Sequence, residues 1–99
     1  MQPFDKEYVC GIAKQILNID SPTGYTKRVI DFMDEEAKKL GYTTGRNQKG
    51  NLLIYVDGKD SEHTLGLSAH LDTLGLMVRS IKDNGKLAIT KVGGPCLPT

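Results

Sequence analysis

Apolar residues recur at helical spacing in the first 40 positions of the chain. From about Phe4 to Ile19 they return every three or four residues, which predicts a helix with one apolar stripe. A break at residues 20–24 separates it from a second predicted helix, over about Tyr25 to Leu40. The predicted buried positions of this second helix are Val29, Ile30, Met33, Ala37 and Leu40.

The segments at the ends of the second helix carry start and stop signals. Ser21 or Thr23 is expected to cap the helix, with Pro22 in its first turn, where a missing N–H costs nothing. Gly41 stands where a left-handed C-cap is expected.

After Gly41 the spacing changes to that of strands. Residues 42–47 predict a short polar edge strand, and the apolar run Leu52–Val56 predicts a buried strand. Thr64–Ala69 is a further short apolar segment. Strands over about Gly75–Ile81 and Lys86–Val92 flank Asn84-Gly85, a hairpin signal. The predicted fold class is therefore α/β, with two helices, then strands, and an antiparallel pair at the end.

Composition excludes several classes of function. The formal net charge is +1 and the basic residues are scattered, so no nucleic-acid surface is expected. No apolar run approaches the roughly 20 residues that span a bilayer, so no membrane partner is expected either. Residues 1–5 lack a secretion signal, and the two cysteines form no CxxC motif, which favours a reduced, cytoplasmic protein. Residues 93–99 resemble a turn within a domain, so we expect a chain cut short.

His70 and Asp72 are the residues with the clearest chemistry. At a strand end in extended conformation, side chains two residues apart point to the same side. An imidazole nitrogen can bind zinc or cobalt, and a neighbouring carboxylate can fix its tautomer. The triplet is common, and by itself it is more simply explained as a surface histidine hydrogen-bonded to its neighbour. Flanking apolar segments favour the metal interpretation, because buried polar groups need partners.

Four segments resemble the glutamyl and tetrahedral (cellulase M-like) aminopeptidase family of co-catalytic metallopeptidases. Ser68–Val78, followed by Lys91–Gly94, is similar to the Ala-His-x-Asp strand of that family and its later strand ending in Ile-Gly-Gly. Ser21–Tyr25 resembles the segment ahead of the family's second helix, and Gly50–Leu52 its Gly-Asn-Leu strand start. Thr73 departs from the usual glutamate and Thr23 from the usual serine, which leaves the subfamily open.

The resemblance implies a site and a reaction. His70 matches a ligand of one ion in a site of two divalent metal ions, zinc or cobalt. Asp72 matches the catalytic-site carboxylate that orients that ligand. The implied reaction is hydrolysis of the N-terminal residue from peptide substrates. The other ligands and the glutamate base lie further along in the family, so the 99-residue chain alone is expected to be inactive.

The resemblance also implies a division of the chain and an assembly. Residues 1–72 correspond to the N-terminal part of a catalytic domain with a zinc-exopeptidase-like sheet. Residues 73–99 correspond to the start of an inserted β-rich dimerisation domain, and homo-oligomers are expected. With both domains incomplete, apolar faces and strand edges would be exposed, and self-association or poor solubility is expected.

Two alternatives stay open at this stage. The related di-zinc carboxypeptidases, tripeptidases and deacylases also carry a His-x-Asp triplet, but they usually turn away after it, whereas here an apolar strand follows. A non-catalytic assembly fragment is the second. His63, in a polar loop, is interpreted as an exposed loop residue without a ligand role.

Overall fold

The computed structural model describes residues 4–96, which form two helices followed by four strands. Helix α1 spans Lys6–Leu17 and helix α2 spans Lys27–Lys39. Strands β1 (Thr43–Arg46) and β2 (Leu52–Tyr55) form one antiparallel pair, and β3 (Gly75–Ile81) and β4 (Leu87–Val92) form a second. The predicted mixed α/β class and the order of helices before strands are confirmed.

The helix ends follow local hydrogen bonding. Asp5 caps α1 by accepting a bond from the Tyr8 N–H at 2.9 Å, which satisfies one of the free N–H groups of the first turn. Neither Ser21 nor Thr23 caps α2. Its N-cap is Thr26, whose side chain makes no capping bond, so that prediction was wrong. Gly41 has a φ of 87°, as the predicted left-handed C-cap requires.

The β3–β4 hairpin forms where the Asn-Gly step predicts it. The Gly85 N–H bonds to the Lys82 carbonyl, and Gly85 has a φ of 77°. A tight turn followed by one left-handed residue is a common three-residue hairpin connection, and glycine adopts that conformation without strain. The register shifts between Val78 and Ser80, where the ladder is irregular.

Burial is much lower than the sequence predicts. Within the described residues, Val29 and Ala37 of α2 are the only buried apolar side chains, and Leu40 is 56% exposed. Helix α1 buries none of its residues, although its apolar stripe predicts a packed face. Strand β2 was predicted to be buried, yet Ile54 is 42% exposed. The prediction of a buried β2 was wrong because, within residues 4–96, β2 pairs with β1 alone and the main packing on this strand pair comes from α2.

The short apolar segment before His70 is neither paired nor buried. Residues 64–69 form no strand, and all of them are exposed. Leu65 and Leu67 are 84% and 91% exposed. An extended segment becomes a strand only when a neighbouring backbone pairs with it, and none does within residues 4–96. His70 therefore follows a segment without regular structure.

Residues 21–23 and 71–75 meet although about 50 residues separate them in the chain. The Thr73 N–H donates to the Ser21 carbonyl at 2.8 Å, and Pro22 and Thr73 form an isolated parallel bridge. The Ser21 hydroxyl, fully buried, donates to the Leu71 carbonyl at 3.2 Å. We call this contact between the two segments the strap. It is the long-range contact that fixes the position of Asp72.

Two further sequence predictions concern membrane-spanning segments and the turn near the C-terminus. Among the described residues, no helix is long and apolar enough to cross a bilayer. The turn expected at residues 93–99 lies partly outside the described residues. Gly93, inside them, has a φ of 78°. The division of the chain at residues 72 and 73 stays a prediction.

Candidate metal-ligand site at His70 and Asp72

The strap places Asp72 between two partners, one on each carboxylate oxygen. The His70 Nδ1 atom lies 3.0 Å from Oδ1 of Asp72. Thr23, on the other segment of the strap, lies 2.6 Å from Oδ2 through its hydroxyl oxygen. An ionised carboxylate accepts hydrogen bonds and cannot donate them, so both partners donate to it.

The bond to Asp72 selects the atom of His70 that can bind a ligand. A proton on Nδ1 leaves Nε2 as the unprotonated nitrogen with a free lone pair. The same Nδ1 also lies 3.1 Å from the Asp72 carbonyl oxygen, a second acceptor for that proton. The side chain of His70 is 86% exposed. The imidazole is thus held on one side and open on the other.

The charge of Asp72 is stabilised by the same contacts. The hydrogen bond from Thr23 lowers the pKa of Asp72 most, and partial burial opposes it. The bond from His70 lowers the pKa further. Asp72 is therefore ionised at neutral pH, as a carboxylate that holds an imidazole N–H must be.

An open cavity of about 530 Å³ lies beside the imidazole. It is lined by the strap residue Thr23, by Lys49 and Asn51 of the β1–β2 turn, and by His70 itself. Polar groups that converge on one concave surface are typical of ligand sites.

His70 fits a metal ion as one ligand of a larger set. Among residues 4–96, no group of three or more His, Cys, Asp or Glu side chains could hold an ion. A fixed tautomer, an exposed Nε2 and a supporting carboxylate are what a zinc-binding histidine has. The described residues therefore offer His70 as a candidate metal ligand, with Asp72 as its support.

His63 provides a comparison within the same chain. Its Nδ1 lies 2.8 Å from Oδ2 of Asp60, and its side chain is 83% exposed, as its interpretation as an exposed loop residue implies. Asp60 is held only locally, and the backbone N–H of Glu62 is the main reason that its pKa is lowered. Both carboxylate–imidazole pairs look alike by distance. Only the pair at His70 is tied to a distant segment and lines the cavity.

A second cluster of charges, which sequence spacing predicts only in part, joins α2 to β1. Arg46 lies 2.7 Å from Asp31 and 3.1 Å from Asp34, and Lys38 lies 3.0 Å from Asp34. Lys38 pairs with Asp34, four residues before it, as helical spacing favours, whereas Lys39 pairs at 2.6 Å with Glu36, three residues before it. This cluster fixes the helix on the strand pair.

A family model and two of the curated relatives point to aminopeptidases. Residues 50–97 match the family model described as M42 glutamyl aminopeptidase. The "Putative aminopeptidase YhfE" of Bacillus subtilis (strain 168) is 41% identical over 83 residues, which cover 84% of this chain and 24% of that protein. The glutamyl aminopeptidase of Lactococcus lactis is 27% identical over 95 residues, covering 95% of this chain and 25% of that protein. The chain thus spans about a quarter of the length of these curated relatives.

A protein named for another chemistry also matches. Mouse glutaredoxin-3 is 32% identical over 87 residues, covering 88% of this chain and 23% of that protein. A dithiol redox motif of the CxxC type is missing from this sequence, whose two cysteines are Cys10 and Cys96.

Proposed function

The chain belongs to the M42 glutamyl aminopeptidase family, and on that premise we propose that it supplies one histidine ligand to the metal centre of an aminopeptidase. The reaction proposed is hydrolysis of the N-terminal residue from peptides. The chain matches only about a quarter of its relatives' length, so this activity is proposed for the complete protein that the gene encodes.

One observation carries the proposal. The Nδ1 of His70 lies 3.0 Å from a carboxylate that a distant segment holds in place, while the side chain stays 86% exposed. A histidine that binds a metal ion almost always donates its other ring N–H to a carboxylate or a carbonyl oxygen, as His70 does here. In the proposed roles, His70 binds one ion through Nε2, and Asp72 holds the Nδ1 proton and the ring orientation.

Peptidases of this family are metal-dependent. Two divalent ions, zinc or cobalt, are proposed for the complete protein. When bound, such ions activate water and stabilise negative charge on the peptide oxygen. The residues of this chain provide a ligand and its orientation. With one histidine ligand among residues 4–96, the 99 residues alone are proposed to be inactive.

The proposal includes a compartment and an assembly. Cys10 and Cys96 are both free and exposed, which suits a reducing, cytoplasmic environment. The apolar β3–β4 hairpin is proposed to contribute to contacts between subunits of a homo-oligomer. In β3 the exposed fractions of Leu76 and Val78 are 59% and 53%.

The ligand assignment can be tested on this chain with Co²⁺ alone as the probe. The imidazole protons of His70 should show paramagnetic shifts at lower Co²⁺ concentration than those of His63, and His70→Ala should abolish this stronger binding. His63→Ala is the matched control, because His63 is equally exposed and also paired with a carboxylate. Equal responses of both histidines in the unmodified chain would contradict the assignment.

The reaction class is tested on the complete gene product. Peptides with a free amino terminus should lose their first residue, and His70→Ala should lower kcat/KM by at least about a hundredfold. His63→Ala should leave it unchanged. Release of C-terminal residues or cleavage of N-acyl amino acids would instead favour the related carboxypeptidase and deacylase families. Full activity and full metal content after His70→Ala would refute the proposal.

A further inference from the structure

Asp72 needs a second contact to hold its orientation. A carboxylate can rotate about the bond that joins it to its side chain, and that torsion has no sharp preference. The bond to His70 engages one oxygen, and His70 is itself an exposed, movable side chain. A partner that is fixed in place must therefore hold the other oxygen of Asp72 if the carboxylate is to keep its orientation towards His70.

Thr23 is that partner. Its hydroxyl lies 2.6 Å from Oδ2 of Asp72, in the range of a strong charge-assisted bond. Thr23 is β-branched, so its side chain is stiff, and the hydroxyl starts from a constrained position. No other side chain within residues 4–96 bonds to Oδ2 of Asp72.

The backbone on both sides of this bond is fixed independently of it. The Thr73 N–H bonds to the Ser21 carbonyl at 2.8 Å, and the buried Ser21 hydroxyl bonds to the Leu71 carbonyl at 3.2 Å. These contacts keep residue 23 next to residue 72. The Thr23 hydroxyl is therefore not needed to close the strap. Its bond can instead orient the carboxylate of Asp72.

We propose that Thr23 is a positioning residue, which holds Asp72 in the orientation that keeps the His70 proton on Nδ1 and leaves Nε2 for a metal ion. The inference rests on the proposed ligand role of His70. It adds a residue from a segment ahead of α2, about 50 positions before the His-x-Asp triplet. The metal site thus depends on the strap as well as on the triplet.

The first test compares the tautomer of His70 in three forms of the chain. Under conditions where the ring is in its neutral form, the two imidazole ¹⁵N shifts report which nitrogen carries the proton. The unmodified chain should show the Nδ1–H form. Thr23→Val keeps the shape but removes the donor, and should move both shifts toward those of an unrestrained histidine. Thr23→Ser keeps the hydroxyl and should restore them.

Two controls separate positioning from general structure. Thr43→Val makes the same change on an exposed strand residue whose hydroxyl has no hydrogen bond within residues 4–96, and should change neither shift. Exchange of the Thr73 amide reports the strap and should stay the same in Thr23→Val. Faster exchange together with the shift change would mean that Thr23 only closes the strap, and would overturn the proposal. An Nδ1–H form that persists in Thr23→Val, or is missing from the unmodified chain, would overturn it too.

A Co²⁺ titration of the same variants distinguishes this inference from the proposed function. Thr23→Val should weaken binding at His70 about tenfold, the lower end of the range for residues that support a metal ligand, and Thr23→Ser should restore it. If Co²⁺ fails to bind His70 in the unmodified chain while the tautomer responds as expected, the ligand assignment fails and the orienting contact stands. Unchanged Co²⁺ affinity in Thr23→Val would refute the link between Thr23 and the metal.

Discussion

At the scale of single residues, the cluster around Asp34 shows how one carboxylate can stabilise several elements. Asp34 lies on α2 and accepts a bond of 2.6 Å from the Thr44 hydroxyl of β1. Lys38 and Arg46 also contact it. The Thr44 bond, followed by that of Lys38, lowers the pKa of Asp34 to about 2, although partial burial opposes the shift. The carboxylate therefore favours the folded arrangement of α2 on β1 while it is ionised.

Removal of the Thr44 hydroxyl should raise the pKa of Asp34. In Thr44→Val the largest contribution to the shift is lost, so a ¹³C titration of the Asp34 carboxyl should move from about 2 toward the ordinary 3.8. Thr43→Val, on the same strand, is the control and should leave the titration unchanged. A normal midpoint for Asp34 in the unmodified chain would contradict the contact.

The sign of the pH dependence follows from this shift. Because the pKa of Asp34 is lower in the folded state than its ordinary value of 3.8, the contribution of Asp34 to stability is fully present above about pH 4. It is lost as the pH falls through 3.8 toward 2. Thr44→Val should lose less helicity over that window than the unmodified chain, by circular dichroism at 222 nm.

At the scale of elements, the approach of the 21–23 segment to the start of β3 depends on a missing side chain. A Cβ added at Gly75 would lie 2.7 Å from the Cβ of Pro22, a distance that real contacts do not reach. Pro22 is rigid, so the two backbones would have to move apart. Gly75 is needed here for close approach rather than for a turn.

Gly75→Ala should therefore open the strap. The Thr73 amide, bonded to the Ser21 carbonyl, should exchange with solvent at least about tenfold faster. The Nδ1–H signature of His70 should weaken with it, because Thr23 moves away from Asp72. Gly66→Ala is the control, since a Cβ there meets nothing within 4 Å. Exchange that is the same in both variants would show that the strap tolerates the extra methyl group.

At the scale of the whole molecule, the chain is extended and poorly buried. Its radius of gyration is 18.1 Å, against about 13 Å for a compact domain of this length. Its accessible surface is 8923 Å², against about 5,600 Å² for a compact monomer of the same mass. Exposed apolar side chains lie on α1, on β2 and on both strands of the hairpin. Such surfaces and free strand edges favour association between copies.

We expect the chain to self-associate, as its sequence already predicts. Sedimentation velocity should show a mass that rises with concentration over the micromolar range. Replacing Val78 and Ile89, which pair across the hairpin, with threonine keeps the strand preference and should shift the distribution toward monomer. The same change at Leu65 and Leu67, which are exposed in an irregular segment, is the matched control and should have a smaller effect. A monodisperse monomer with a cooperative melt would contradict the prediction.

The sequence by itself determined the elements and the candidate residues. Helical spacing predicts both helices, and Asn84-Gly85 predicts the hairpin, because these signals depend on neighbours in the chain. The family could also be inferred from the sequence, because its motifs are short runs of neighbouring residues. Burial was predicted poorly: the stripe of α1 and the apolar run of β2 indicate a buried face, but burial requires a partner surface, and the described residues provide little of it.

Only the tertiary structure decided how His70 is held. Sequence spacing places Asp72 next to His70, but it also places Asp60 next to His63, and both pairs form. The structure separates them because the strap brings Thr23 onto Asp72 from about 50 residues away, while Asp60 has only local partners. Contacts over such a separation depend on packing and on the close approach at Gly75, and no local pattern encodes them.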